Sequence, residues 1–244
     1  WERVLISNRI RAIAVDPENI WIGTDKGVSR FIKSEGRWVH YTKSDGLSSD
    51  VVNAIAVDGD TVWFATDEGV TRFNPKTGSW RIYRSKDGLA SDRVQCIAVD
   101  GSYVWFGTDG GLNRYDKRID SWAVRTKKEG LPSDNITAIA VDQEYVWVGM
   151  GKEEDWRTRR FWELRRKPGE GGVSRYHKAT DSWNSYTVRD GLVGEEITAI
   201  AIDEDSVWFG TRKSGISLFS KTDQAFVKAF SKADLLTSDM ITAI

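Results

Sequence analysis

The apolar positions of this chain fall in short phrases of four to seven residues, separated by Gly, Asp, Asn or Pro, and they return in a fixed order. The first phrase reads VNAIAVD at Val52–Asp58 and recurs as RAIAVD, QCIAVD, TAIAVD and TAIAID. The second, VWFAT, is echoed by IWIGT, VWFGT and VWVGM, and the third, GVTRF, by GVSRF, GLNRY, GVSRY and GISLF. The fourth, SWRIYR, runs into Asp87, Gly88 and Leu89. Phrases this short, rich in β-branched and aromatic residues and bounded by turn formers, predict strands and tight turns. No stretch holds helical periodicity over a useful length.

The period is set by tryptophan. Trp21, Trp63, Trp105 and Trp147 stand 42 residues apart, and Trp208 follows after 61. Trp38, Trp80 and Trp122 keep the same 42 before Trp183 follows after 61, so one 19-residue insertion accounts for both jumps. The repeats cover residues 10–42, 52–84, 94–126, 136–187 and 197–230, with the insertion at 150–168. Within a repeat the first phrase is apolar on both faces, which predicts burial on both. The fourth carries Arg81 and Arg84, charge suited to an outer edge strand. That radial order predicts an all-β fold, a β-propeller of four-stranded antiparallel blades, rather than a linear solenoid. Residues 1–6 resemble a fourth strand and residues 241–244 the start of a first. The expectation is one propeller domain over residues 1–244, with five complete repeats and split strands of a further blade in a six- or seven-bladed ring. A five-bladed ring with irregular terminal strands is the alternative.

Charge and composition narrow the function. With 35 basic and 36 acidic side chains the net charge is -1, so nothing draws the whole molecule to nucleic acid or an anionic membrane. The apolar runs are strand-sized, and a membrane enters only through flanking segments. The lone Cys96 stands where the other repeats have Ala, which predicts a small buried side chain. His40 and His177 fall in different repeats, so neither a His-based metal site nor a His acid–base pair is predicted. The recurrent Asp at the end of the first phrase suits turn capping better than metal binding. No catalytic residue, metal or cofactor is expected.

The candidate chemistry lies in the insertion, which reads MGKEEDWRTRRFWELRRKP and holds the only two Trp outside the repeat. Its Trp156, Arg157, Arg159, Arg160, Phe161, Trp162 and Arg165 combine the residue types that dominate binding hot spots. Asp50, Asp92 and Asp134, in the connections between repeats, are expected on the same face. Two other readings stand beside the binding arm: a hairpin packed on a neighbouring blade, and a basic arm latched to acidic loops.

The string AIAVD…VWFGTDGGLNRYD…SWAVRT…EGLPSDNI, from Ala98 to Ile136, resembles the two-component regulator propeller repeat, and the resemblance runs through the chain five times. The Gly-His and Trp-Asp marks of WD40 repeats are missing. The resemblance implies a periplasmic or extracellular sensor propeller in a larger protein, with a ligand or partner (a glycan, a peptide or another protein) still to be identified. A structural or adhesion propeller of a surface protein is the alternative, and a propeller lyase or hydrolase a third.

Overall fold

The computed structural model describes residues 5–152, 171–234 and 236–244. Its twenty strands form five four-stranded antiparallel sheets, each hydrogen-bonded in chain order, and the fold is a β-propeller. Blade 1 is β1 (Ile10–Val15), β2 (Asn19–Thr24), β3 (Val28–Ile32) and β4 (Arg37–Tyr41). Blade 2 is β5 (Val52–Asp58), β6 (Thr61–Thr66), β7 (Gly69–Asn74) and β8 (Ser79–Tyr83). Blade 3 is β9 (Val94–Asp100), β10 (Tyr103–Thr108), β11 (Gly111–Asp116) and β12 (Ser121–Arg125). Blade 4 is β13 (Ile136–Val141), β14 (Tyr145–Met150), β15 (Gly172–His177) and β16 (Ser182–Tyr186). Blade 5 is β17 (Ile197–Ile202), β18 (Ser206–Thr211), β19 (Ile216–Ser220) and β20 (Ala225–Phe230). The chain divides into two compact units, Trp1–Val124 with blades 1 to 3 and Arg125–Ile244 with blades 4 and 5.

Within the first unit each blade shows two unlike faces. The register sets Ala54 opposite Ala65 and Ala56 opposite Trp63, so small residues and the inner tryptophan share one face of blade 2. That face packs on Val94, Phe106 and Tyr115 of blade 3. Trp63 meets Phe106 and Tyr115 edge-on, at 5.5 and 5.4 Å. Blade 1 uses Trp21 in the same way against Phe64 and Phe73, at 5.9 and 6.1 Å. The outer tryptophan points the other way: Trp80 stacks on Phe73 of its own blade at 3.9 Å and meets Tyr41 of blade 1 at 5.4 Å. In the second unit Trp147 lies against Phe209 and Phe219 at 5.6 and 5.1 Å. A buried aromatic of this size removes about 150–250 Å² from water. At ~25 cal/mol/Å² that is on the order of 4–6 kcal/mol as an upper bound.

Two glycine positions let the blades close on each other. A Cβ on Gly23 would stand 2.8 Å from Val52 Cγ1, and one on Gly149 would stand 2.5 Å from Ile197 Cγ2. Each glycine is therefore a socket for the first apolar residue of the next blade. The Gly of the Asp-Gly-Leu signature serves the outer edge. Gly46 and Gly88 have φ of 125° and 115°, and an added Cβ would lie 2.7 Å from Trp80 and 2.9 Å from Trp122.

One expectation is corrected. The first strands are not buried on both faces: past their first residues they are largely half-buried, and the deepest burial falls on the second strands. The first strand is an edge strand with a sheet partner on one side only. The recurrent Asp caps its turn as expected and also holds the inner tryptophan. Asp16 accepts the N–H groups of Glu18 and Asn19 at 2.8 and 2.7 Å, and Trp21 Nε1 donates to it at 2.8 Å. Asp58, Asp100 and Asp203 accept from Trp63, Trp105 and Trp208 at 3.4, 3.4 and 2.9 Å. In blade 4 Asp142 caps Glu144 and Tyr145 and pairs with Lys221, while Trp147 Nε1 is left without a partner among the described residues.

Candidate functional site

Along one edge of blades 1, 2 and 5 the turn between second and third strands meets the connection that follows the blade. Gly27 donates its N–H to Asp50 O at 2.6 Å, Gly69 to Asp92 O at 2.6 Å, and Gly215 to Asp239 O at 2.9 Å. Lys43 Nζ reaches Glu68 Oε2 at 2.6 Å, tying the first connection to the turn of blade 2. The threonine that ends the second strand supports the turn: Thr66 Oγ1 donates to Gly69 O and accepts the Glu68 N–H.

The connections themselves are capped 3-10 turns. In the first, Lys43–Asp45, the Thr42 N–H donates to Asp45 Oδ2 at 2.8 Å. Asp50, Asp92 and Asp134 each spend a carboxylate oxygen on the same loop seven residues back. They accept the N–H of Lys43 at 2.7 Å, of Ser85 at 2.6 Å and of Lys127 at 2.6 Å. The first N–H groups of such a turn have no partner inside it, and a carboxylate there answers that need. Below, a polar side chain of the third strand accepts a connection N–H: Ser48 donates to Thr71 Oγ1, Ala90 to Asn113 Oδ1 and Val193 to Ser217 Oγ, at 2.8 to 2.9 Å. Pro132 has no N–H to offer at this place, and Ser174 Oγ turns to Ser185 Oγ at 2.8 Å.

The same edge carries a series that the pattern reading passed over. In every blade the pairing of first and second strands skips one residue, and the skipped residues are Arg11, Asn53, Gln95, Thr137 and Thr198. A bulge re-aims a side chain out of the ladder. Arg11 Nη1 donates to Asn53 Oδ1 at 2.8 Å, and Asn53 Nδ2 donates to Asp67 Oδ1 and Val94 O. Thr137 Oγ1 donates to Ile197 O at 2.6 Å, and Thr198 Oγ1 to Ile241 O. The available signal was that this position is polar in every repeat, though its identity changes, inside a phrase otherwise apolar and nearly constant.

The insertion leaves and returns on this edge. Met150 ends β14 opposite Gly172, the first residue of β15. Its root is held by the connection: Gly151 donates to Asn135 O at 2.9 Å, Asn135 Nδ2 to Lys152 O at 3.0 Å and Ser133 Oγ to Gly151 O at 2.8 Å. Lys152 Nζ pairs with Glu195 Oε2 at 3.3 Å. Trp156, Arg157, Arg159, Arg160, Phe161, Trp162 and Arg165 lie outside the described residues.

The titratable groups serve structure here. The Ser7 hydroxyl, 2.5 Å from Asp25, holds that carboxyl below its ordinary value, as the Thr126 hydroxyl and N–H do for Glu129. His40 Nδ1 lies 3.0 Å from Ser29 Oγ and His177 Nδ1 3.0 Å from Thr180 Oγ1, each within its own blade. Among the described residues no three His, Cys, Asp or Glu side chains are grouped to hold a metal ion.

The family profile described as "Two component regulator propeller" matches residues 4–26, which take in β1, β2 and the turn after them. The matched residues lie in the first of the five blades. The propeller architecture recurs in solved structures. The chain is similar to the extracellular domain of the one-component system BT4673 from B. thetaiotaomicron, with 19% identity and a TM-score of 0.74 over 98% of this chain and 31% of that one. It is similar to PorZ of Porphyromonas gingivalis, a surface component of the type-IX secretion system, with 17% identity and a TM-score of 0.67 over 96% of this chain and 36% of that one. It is also similar to the WD40 repeats of RRP9, with 13% identity and a TM-score of 0.68 over 91% and 64% of the two chains. The chain thus spans about a third of the length of the first two. No curated protein matches the sequence. Among the described residues no helix is long and apolar enough to cross a membrane.

Proposed function

We propose that this propeller is a non-catalytic recognition module of an extracytoplasmic protein, binding a glycan, a peptide or another protein. Its binding face is the edge where connections, second-to-third-strand turns and the insertion come together. The observation that carries the reading is the rooting of the insertion on that edge, through Gly151, Asn135, Lys152 and Glu195. The faces between blades within each unit are committed to aromatic packing, whereas this edge collects charge and variable polar residues. Asp134, in the same unit as the insertion, is then part of the rim, with its loop fixed by its own carboxylate, and Asp50 and Asp92 hold the corresponding loops of the first unit in the same way. Trp156, Arg157, Arg159, Arg160, Phe161, Trp162 and Arg165 supply the contact area and the charge-assisted hydrogen bonds. Likeness to an extracellular domain and to a surface component supports an extracytoplasmic place. The test is the triple variant W156A/R160A/W162A, which abolishes binding and leaves the melting temperature nearly unchanged. Intact binding with a large loss of stability would assign those side chains to packing instead. The likeness to PorZ favours a second reading, a structural bead of a surface protein with no small ligand.

A further inference from the structure

The connection that follows blade 4 departs from the other four. In those, an aspartate caps its own loop seven residues back: Asp50, Asp92, Asp134 and Asp239 accept the N–H groups of Lys43, Ser85, Lys127 and Lys232 at 2.6 to 2.7 Å. The blade 4 connection has Glu195 at this place, with Val188 seven residues before it. The added methylene carries the carboxylate off its own loop. Glu195 Oε2 pairs instead with Lys152 Nζ at 3.3 Å, and among the described residues the Val188 N–H has no partner. The rest of the turn is capped as its fellows are: Thr187 Oγ1 accepts the Arg189 N–H, and Asp190 holds the Thr187 N–H. The loop thus keeps its shape while one of its first N–H groups stays unanswered. The charge nearby also changes. Blades 1 to 3 begin the turn between second and third strands with Asp25, Asp67 and Asp109, whereas blade 5 has Arg212 and Lys213 there. That turn lies against the Glu195 connection. The Arg212 N–H donates to Glu196 O at 2.9 Å, and a Cβ on Gly194 would stand 2.8 Å from Ser214 Oγ. Lys152, Arg212 and Lys213 are exposed, and among the described residues neither Arg212 nor Lys213 has an ion-pair partner.

We infer that the Glu195 carboxylate is a two-position switch set by an anionic ligand. In one position it neutralises Lys152 at the root of the insertion. In the other it caps Val188, as aspartate does in the remaining four loops. A carboxylate or sulfate group of the ligand takes Lys152, with Arg212 and Lys213 on the neighbouring turn, and Glu195 moves to the waiting N–H. Neither position has a large advantage: an ion pair with its lysine 43% exposed is weak, and the alternative is a charge-assisted hydrogen bond to an unpaired N–H. Two positions close in free energy are what a ligand can shift by binding one of them better. The exchange strands no charge, because Glu195, only 15% exposed, trades one partner for another. The switch itself needs no ligand; the ligand's anionic class rests on the binding edge proposed above.

Amide hydrogen exchange of the full chain, followed residue by residue by NMR, tests this. In the parent the Val188 amide, relative to its unstructured rate, exchanges faster than those of Lys43, Ser85, Lys127 and Lys232. K152Q removes the competing cation and slows Val188 exchange by about tenfold, as for an amide bonded roughly nine-tenths of the time. E195D restores the aspartate of the other four loops and slows it likewise. Sodium sulfate slows Val188 exchange in the parent with a saturating midpoint, and sodium chloride at equal ionic strength does not. In K152Q and E195D sulfate brings no further slowing. Melting curves establish that each variant is folded, and K152M replaces K152Q if that one is not. A Val188 amide as slow in the parent as the other four overturns the switch. So does a folded K152Q variant in which it stays as fast as in the parent. Equal responses to sulfate and chloride overturn the anionic class of ligand. Failure of the binding face in the W156A/R160A/W162A test is a separate result and leaves the K152Q comparison standing.

Discussion

An inner tryptophan in this fold answers to two demands at once, an apolar wall for its ring and an acceptor for its indole N–H. Trp21 has both: Phe64 and Phe73 at its edge and Asp16 at its nitrogen. Burial works to raise the Asp16 carboxyl, but hydrogen bonds from Trp21, Asn19 and the turn N–H groups together hold it below its ordinary value. Asp203 is held down chiefly by the Trp208 N–H. A carboxyl lowered in the folded state contributes stability that is present above its unfolded value, near 4, and lost as pH falls through the folded value. The urea midpoint should therefore begin to drop near pH ~4 and continue below it. D16N should flatten that part of the profile; an unchanged profile would contradict the role given to Asp16. Cys96 gives a second test. Burial pushes its thiol up to about 12, against a smaller opposing effect of its hydrogen bond with the Gly107 backbone. Cys96 is half-buried by exposed area, so an aromatic disulfide reagent at pH ~8 should label the folded protein much more slowly than the unfolded chain, because the thiolate is the nucleophile. Rapid labelling of the folded chain would place the thiol in a different setting.

At the scale of the blade, glycine decides how closely sheets approach. Gly88 combines a φ of 115° with Trp122 at 2.9 Å from any added Cβ, whereas Gly36 has a φ of 64° and nothing within 4 Å. Gly36→Ala should cost about 1 kcal/mol for its left-handed backbone alone. Gly88→Ala should cost clearly more, because the outer tryptophan must also move; equal urea midpoints for the two would refute the packing argument. Thr137→Val tests the bulge latch to Ile197 and should cost about 1 kcal/mol. The twenty strands were legible in the sequence because each phrase is short, apolar and bounded by turn residues, and because tryptophan marks the period. The bulges were not, since a polar residue such as Asn53 at this position reads equally well as an outward-facing strand residue, and only the pairing shows that it is skipped. The half-burial of the first strands was hidden for a related reason. Alternation reports which face is apolar, but not whether a strand lies at the edge of its sheet. The carboxylates of Asp50, Asp92 and Asp134 were visible as acidic loops, and their bonds to Lys43, Ser85 and Lys127 depend on a seven-residue loop geometry that no local pattern encodes.

For the molecule as a whole, balanced charge leaves recognition to a local surface, and packing claims most of what a blade offers. The blade edges with the connections are different in kind: their loops are capped, their bulge residues change from blade to blade, and on blade 4 the insertion is anchored there. The most direct measurement is binding of the chain and of W156A/R160A/W162A to one panel of oligosaccharides and peptides, with melting curves beside it. The account predicts that the parent binds members of the panel and that the variant loses them. It predicts melting midpoints within about 2 °C, a change below roughly 1 kcal/mol for a chain of this size. Equal binding by the two, or a variant that melts far below the parent while binding as well, would contradict it.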